Sequence, residues 1–318
     1  MTQTNSNGQA RPVAASLDHV IYQFGSQRAL DDVSLHIPTG SVFGILGLNG
    51  AGKTTLLHHL LGLHQPRSGR IEVLGGNPIV NRESVMRQVG YLSEEDSLPA
   101  WMSVQDVLRF HQAIYPTWDR SYADELLDWF ELDLRARLKT LSKGGRARVG
   151  LIAAIAHRPE LLILDEPSSG LDPIARGEIL EAIIRAVSIA GRTVIFSSHL
   201  LDEVQRVCDR VAVIHQGRVI EQFEMATLHE SFQEWIVRPQ SKHINSSVCP
   251  FDDALDWRGI DGEWSAVRRR AGQDDLSQND WQVVDTRSIT LERLFEALVG
   301  RSKVSTAPSE THLDTVVS

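Results

Sequence analysis

An apolar run followed at once by a glycine-rich turn and a lysine constrains this chain more than any other feature. Val42–Leu46 predicts a buried strand, residues 53–61 predict a helix, and residues 47–54 between and into them read GLNGAGKT. A loop with the pattern GxxxxGK[ST] between a strand and a helix curls so that its backbone N–H groups point inward at the positive end of the helix. Side chains would obstruct that approach, so the turn needs glycine. Such a loop binds phosphate oxygens.

The loop supplies a set of candidate phosphate ligands. Lys53 would reach the β- and γ-phosphates of a nucleotide as a point charge, and the Thr54 hydroxyl would bind Mg²⁺, which prefers hard oxygen ligands. The predicted nucleotide-binding residues of the segment are Gly47, Asn49, Gly50, Ala51, Gly52, Lys53, Thr54 and Thr55.

Two adjacent acids end a second predicted buried strand. Residues 161–164 are apolar, and Asp165 and Glu166 follow them. Successive side chains on a strand point to opposite sides, so the two carboxylates are expected to have different roles. Asp165 fits the Mg²⁺ side, through a water, and Glu166 fits a base that polarises a water attacking the γ-phosphate.

The order of elements indicates an α/β fold. A third buried strand is predicted over 193–196, and helices are predicted over 104–114, 122–130 and 146–157. Alternation of short apolar strands with helical patterns as far as about Phe223 is typical of a parallel sheet. After Phe223, short strand-like pieces at 235–237, 264–267 and 281–284 and an amphipathic helix over 289–299 predict a small second domain.

Charge and composition exclude several functions. The net charge of −9 opposes non-specific binding of nucleic acid. The two cysteines, Cys208 and Cys249, form no disulfide framework or zinc motif, so a reducing compartment is expected. No run of about 18 apolar residues occurs, and the N-terminus lacks a signal-peptide layout.

With these motifs in place, the chain resembles the ATP-binding cassette (ABC) ATPases, the nucleotide-binding subunits of ABC transporters. Residues 141–145 (LSKGG) resemble the family's signature loop, residues 169–172 (SGLD) its D-loop, and His199 its switch histidine. Phe24 matches the aromatic residue that stacks on adenine, although Tyr22 is close enough to be that residue instead. The resemblance covers about residues 17–220.

The resemblance implies roles for these residues. His199 would contact the γ-phosphate and hold the attacking water, and Asp172 would communicate between sites. The signature residues Ser142, Lys143, Gly144 and Gly145 would contact ATP bound by the opposite subunit, so that two ATP molecules are sandwiched in a dimer.

The resemblance also implies an architecture. The fold expected is a P-loop NTPase core of ABC type with an antiparallel β subdomain, a helical signature subdomain and a small C-terminal α+β extension. The expected boundaries are a flexible tail at 1–12, the ATPase domain at 13–224 with its helical subdomain at about 95–157, the extension at 225–300 and a flexible tail at 301–318.

Two motifs depart from the family's pattern. Lys143 stands where the signature usually has its first glycine, with Gly145 in place of the glutamine, and the added charge could strengthen ATP sandwiching. Ser93 and Glu94 stand after residues 90–92 (GYL), where the family has the glutamine of its Q-loop. Glu94 can still offer Mg²⁺ an oxygen, with Thr54 and Asp165, but it adds charge and loses a donor.

The favoured interpretation is an ATPase that binds ATP and Mg²⁺, dimerises with a second copy or a paralogue, and drives a separately encoded export-type permease from the cytoplasmic face of the membrane. Nucleic acid is not an expected partner. The alternatives are a soluble ABC-type ATPase acting on a macromolecular complex, and a nucleotide-gated module with low turnover. The extension after Phe223 is either regulatory, dimer-stabilising or a structural appendage.

Overall fold

A computed structural model describes residues 12–95, 97–188, 191–241, 249–251, 253–260, 262–270 and 281–300. The predicted tails therefore lie outside the described residues, except residue 12. Contacts divide the chain into two compact units, Met1–Ala226 and Thr227–Ser318. No helix in the described ranges is long and apolar enough to span a membrane.

The described part of the first unit contains nine strands. In chain order they are β1 (Val13–Phe24), β2 (Gln27–Pro38), β3 (Val42–Leu46), β4 (Ser68–Val73), β5 (Val89–Leu92), β6 (Leu161–Asp165), β7 (Thr193–Ser198), β8 (Arg210–His215) and β9 (Arg218–Glu224). Its helices are α1 (Lys53–Leu60), α2 (Arg82–Met86), α3 (Val104–Ile114), α4 (Arg120–Trp129), α5 (Lys143–Ile155), α6 (Pro173–Ser188) and α7 (Leu201–Val207).

The central sheet brings three loops together. Its order is β5-β6-β7-β3-β8-β9, and all neighbours are parallel except β8 and β9. Every residue of β3, β6 and β7 is buried, as expected for a parallel sheet covered on both faces. Parallel strands end at one edge, so the segments after β3, β6 and β7 meet there.

A second sheet of the first unit has the order β2-β1-β4 and is antiparallel. Residues of this sheet, of α1 and of the central sheet share one apolar core. This sheet, the central sheet and helices α3–α5 confirm the α/β class and the ABC-type core that the resemblance implies.

The helix predicted over 146–157 begins earlier, at Lys143, and ends at Ile155. Ser142 is its N-cap and accepts a hydrogen bond from the Gly145 N–H at 3.1 Å. A serine cap fixes the start of a helix, so the glycine-rich signature forms the first turn rather than a preceding loop.

The second unit has its own sheet. Helix α8 (Leu228–Ser231) precedes β10 (Phe232–Pro239), β11 (Asp256–Ile260), β12 (Glu263–Arg269) and β13 (Trp281–Ser288), which pair antiparallel in the order β11-β12-β10-β13. Helix α9 (Leu291–Val299) follows, capped by the Thr290 hydroxyl. Its apolar stripe is buried, as the periodicity predicts: Leu291, Leu294, Phe295 and Leu298.

Candidate functional site

The glycine-rich turn after β3 has a backbone that only glycine allows. Gly50 and Gly52 have φ of +78° and +109°, where side chains are strained. A Cβ placed on Gly47 would lie 2.5 Å from the carbonyl oxygen of Ile214. Helix α1 carries no acid in its first turn, and its N-cap is Gly52, which has no side chain. The turn therefore presents an open, positively polarised backbone cradle that suits phosphate.

Lys53 lies across the base of this cradle. Its Nζ donates to the Gly47 carbonyl at 2.8 Å and lies 2.9 Å from Oε1 of Glu166. The lysine and glutamate side chains are only 6% and 5% exposed. A buried cation and a buried carboxylate thus pair at the point where phosphate is predicted to bind.

The two acids at the end of β6 have different environments. Asp165 is buried and accepts a hydrogen bond from the Ser197 hydroxyl at 2.6 Å. Glu166 has a left-handed φ of +47°, and its N–H donates to the same hydroxyl at 2.9 Å. Oε2 of Glu166 lies 2.5 Å from Nδ1 of His199. The Glu166 carboxylate is therefore held between Lys53 and His199.

His199 follows directly after β7, and its side chain is 34% exposed. Because β6 and β7 are parallel neighbours, Ser197 sits beside Asp165 in the register. The strand end therefore brings the imidazole to Glu166.

One cavity of about 580 Å³ collects the predicted nucleotide-binding residues. That volume suits a nucleotide-sized ligand. Its walls include Phe24, Ala29, Asn49, Gly50, Gly52, Lys53, Thr54, Thr55, Glu94 and Glu166. Gly47 and Ala51 belong to the same loop but are not among the lining residues.

Of the two aromatic candidates for adenine, only Phe24 lines this cavity, and it is 51% exposed. Tyr22 packs against the core and stacks on His64 at 5.1 Å between ring centroids. Its ring meets the edge of Phe24 at 4.9 Å. The placement favours Phe24 for base stacking and gives Tyr22 a supporting position.

The predicted Mg²⁺ ligands are partly brought together. Thr54 and Glu94 line the same cavity, whereas Asp165 is 1% exposed and bonded to Ser197. A hydroxyl and carboxylates are the hard oxygen donors that Mg²⁺ takes, and Mg²⁺ commonly uses few protein ligands with nucleotide phosphates supplying others. Within the described ranges, no group of three or more His, Cys, Asp or Glu side chains is arranged to hold a metal. The donors present fit an ion shared with phosphate.

The signature loop packs against the D-loop of the same chain. A Cβ on Gly144 would lie 2.8 Å from the Ala175 Cβ, so the start of α5 closely approaches α6. The Asp172 carboxylate accepts hydrogen bonds from the N–H groups of Ala175 and Ile174, both at 3.0 Å. Those bonds hold the pKa of Asp172 below its usual value. Asp172 therefore caps the start of α6.

Two serine contacts were not predicted. Ser197 joins Asp165 to the backbone of Glu166, and Ser169 donates from its hydroxyl to Oε1 of Glu94 at 3.2 Å. The signal available for Ser197 is that two serines end an otherwise apolar strand just before His199. Ser169 begins the predicted D-loop, but that motif does not predict its bond to Glu94, because the two residues are distant in sequence.

The fold and the site together define a P-loop nucleotide-binding ATPase. The family model described as "ABC transporter" matches residues 30–169. The bacitracin transport ATP-binding protein BcrA of Bacillus licheniformis is 34% identical over 234 residues, which is 72% of this chain and 76% of BcrA. The Nod factor export ATP-binding protein I of Rhizobium leguminosarum bv. viciae is 35% identical over 219 residues, 67% of this chain and 70% of that protein.

A solved structure of an ATP-binding subunit of an ABC transporter is 29% identical with a TM-score of 0.63, covering 68% of this chain and 92% of that one. The chain belongs to the ATP-binding proteins of ABC transporters. It is an ATP-binding, ATP-hydrolysing subunit of this family.

Proposed function

We propose that this chain powers an export-type transporter, docking as a peripheral subunit on the cytoplasmic face of a separately encoded permease. The observation that carries the ATPase part is the Glu166 carboxylate held between Lys53 and His199 at the phosphate loop. The export direction is supported by the similarity to the Nod factor export ATP-binding protein.

In this proposal the loop residues bind the nucleotide and Glu166 does the chemistry. Phe24 stacks on adenine, the N–H groups of the loop hold phosphate oxygens, and Lys53 binds the β- and γ-phosphates. Phosphate competes with Glu166 for the Lys53 ammonium. Once released from that ion pair, Glu166 orients the attacking water and takes its proton, while His199 holds the carboxylate and contacts the γ-phosphate.

Thr54 and Glu94, with Asp165 behind them, would hold Mg²⁺. When bound, the ion would neutralise negative charge on the phosphate oxygens. Asp165 is fixed by Ser197 and so keeps one orientation for this role.

We further propose that two copies, or this chain and a paralogue, close around two ATP molecules. Ser142, Gly144 and Gly145 form the N-terminal turn of α5, a helix of 13 residues with no acid in its first turn, and the positive end of a helix suits phosphate. This surface would contact the partner's nucleotide, with Asp172 between the two sites.

The test is steady-state ATPase activity of the purified full chain against its own concentration, with light scattering of Glu166→Gln in ATP. Turnover that rises more than linearly with concentration, and ATP-dependent dimers of the variant, are the expected results. Linear turnover with a monomeric variant would contradict the dimer proposal, and full turnover in Glu166→Gln would remove Glu166 from the role of base.

A further inference from the structure

The two departures from the family's pattern face one cavity. Glu94 lies after β5, and Lys143 is the first residue of α5. Both line a cavity of about 320 Å³ with Glu166 and Ser169. Residues far apart in sequence, with opposite charges, thus approach the same segment of the chain.

That segment is the D-loop. The Ser169 hydroxyl donates to Oε1 of Glu94 at 3.2 Å. The next residue, Gly170, has φ of +66°, and a Cβ built there would lie 2.7 Å from Nζ of Lys143. The ammonium group therefore lies against the Gly170 backbone. The Glu94 carboxylate thus binds Ser169, and the Lys143 ammonium lies against the next residue, Gly170.

The ends of the D-loop are fixed by other contacts. The Ser169 N–H donates to the Glu166 carbonyl at 3.0 Å, and the Leu171 N–H donates to the Ser168 carbonyl at 3.2 Å. Asp172 caps α6. The backbone link from Ser169 to Glu166 means that a shift of the loop tip moves the residue proposed as the base.

We infer that Glu94, Lys143, Ser169 and Gly170 form a D-loop clasp, in which the Glu94 carboxylate binds Ser169, the Lys143 ammonium lies against Gly170, and the two contacts together position the loop beside Glu166. Glu94 and Lys143 are positioning residues in this role, since they act through the loop. The clasp operates within one chain, and its effect on hydrolysis rests on the proposed role of Glu166. Gly170 is favoured because its φ of +66° is strained for residues with a side chain, and a Cβ there would also push the Lys143 ammonium away from the loop.

Hydrogen–deuterium exchange of residues 168–172 tests the clasp without turnover. The full chain is compared with Glu94→Gln, Lys143→Met, the double variant and Ser169→Ala, all without nucleotide. Each single variant should raise the exchange rate by about threefold or more, and the double variant should exchange no faster than the faster single variant, because Glu94 and Lys143 hold adjacent residues of one loop and groups that share such a segment are coupled. Ser169→Ala reproduces the loss of the Glu94 contact while leaving the carboxylate for Mg²⁺. Lys139→Met, which removes an exposed charge four residues before Lys143, is the matched control and should leave exchange unchanged.

ATPase kinetics of the same variants give the second readout. The single variants should lower kcat by about fivefold and the double variant by less than the product of the two losses. Lys143→Arg, which keeps the charge, should recover most of kcat. Unchanged exchange in all variants, or losses in kcat that multiply, would overturn the clasp. If the parent chain shows no turnover, the proposed role of Glu166 fails, whereas the exchange experiment still decides whether the clasp exists.

Discussion

Substituting Glu166 by glutamine should change hydrolysis and ATP affinity in opposite directions. Glutamine keeps the shape and an oxygen acceptor but loses both the charge and the basicity. Loss of a positioned general base lowers kcat by about 10²- to 10⁴-fold. The same substitution removes the anion that competes with phosphate for Lys53.

The size of the second effect follows from the ion pair. At 2.9 Å between Lys53 Nζ and Glu166 Oε1, the Coulomb attraction is about 6 kcal/mol at an effective dielectric constant of about 20. The cost of desolvating both charges offsets much of that attraction. When phosphate binds the Lys53 ammonium in place of Glu166, the new ion pair replaces most of the attraction that is left. A residual advantage of about 1.4 kcal/mol would bind ATP about tenfold more tightly in the variant.

The assay is titration calorimetry with a non-hydrolysable ATP analogue, so that turnover does not alter the parent's binding curve. Glu95→Gln is the matched control, because Glu95 is an exposed acid beside Glu94 with no contact to Lys53 among the described ion pairs. If Glu95→Gln tightens binding as much as Glu166→Gln, the effect comes from removing one negative charge near the site and not from releasing Lys53. An unchanged or weaker affinity in Glu166→Gln would refute the competition for Lys53.

Three further outcomes are expected from other parts of the molecule. Lys53→Ala should abolish ATP binding in the same calorimetric assay, and normal affinity would refute the phosphate-loop assignment. Arg293 bonds Glu234 at 2.6 Å and Asp256 at 2.7 Å, so Arg293→Met should destabilise the second unit by about 3 kcal/mol in urea unfolding followed by tryptophan fluorescence. The exposed Arg287→Met is its control and should leave the midpoint unchanged. Burial lowers the pKa of His157 from 6.5 to about 4, so the unfolded chain binds the extra proton and this contribution to stability should be lost as the pH falls from about 6.5 to 4. Burial also lowers the pKa of His58, His59 and His111, so His157→Phe should reduce the slope without abolishing it, and an unchanged slope in that variant would contradict this.

The elements that the sequence predicts best are the strands in which every residue is buried. Strands β3, β6 and β7 are short apolar runs, and the loops that follow them contain Lys53, Glu166 and His199. Their common edge follows from parallel pairing alone. The motif spacing therefore located the phosphate loop and the acids without knowledge of the rest of the sheet.

Other features depend on partners that are distant in sequence. The sequence predicts a strand over 281–284, but β13 continues to Ser288; it is exposed along seven of its eight residues, and pairing with β10 extends it. The start of α5 at Lys143 was missed because glycines are poor helix formers, and the Ser142 cap decides the boundary. The domain boundaries stay a prediction.

Ser197 shows why the orientation of the Glu166 carboxylate could not be predicted from the acidic motif alone. The left-handed backbone of Glu166 costs about 1–3 kcal/mol unless its surroundings fix it. The Ser197 hydroxyl donates to Asp165 and accepts from the Glu166 N–H, and the Ser197 carbonyl accepts from that N–H at 3.2 Å. Ser197 of β7 therefore holds both Asp165, at the end of β6, and Glu166, which follows it. Because the strained backbone turns the Glu166 carboxylate toward Lys53 and His199, the chemistry assigned to the acidic pair depends on a serine in the neighbouring strand.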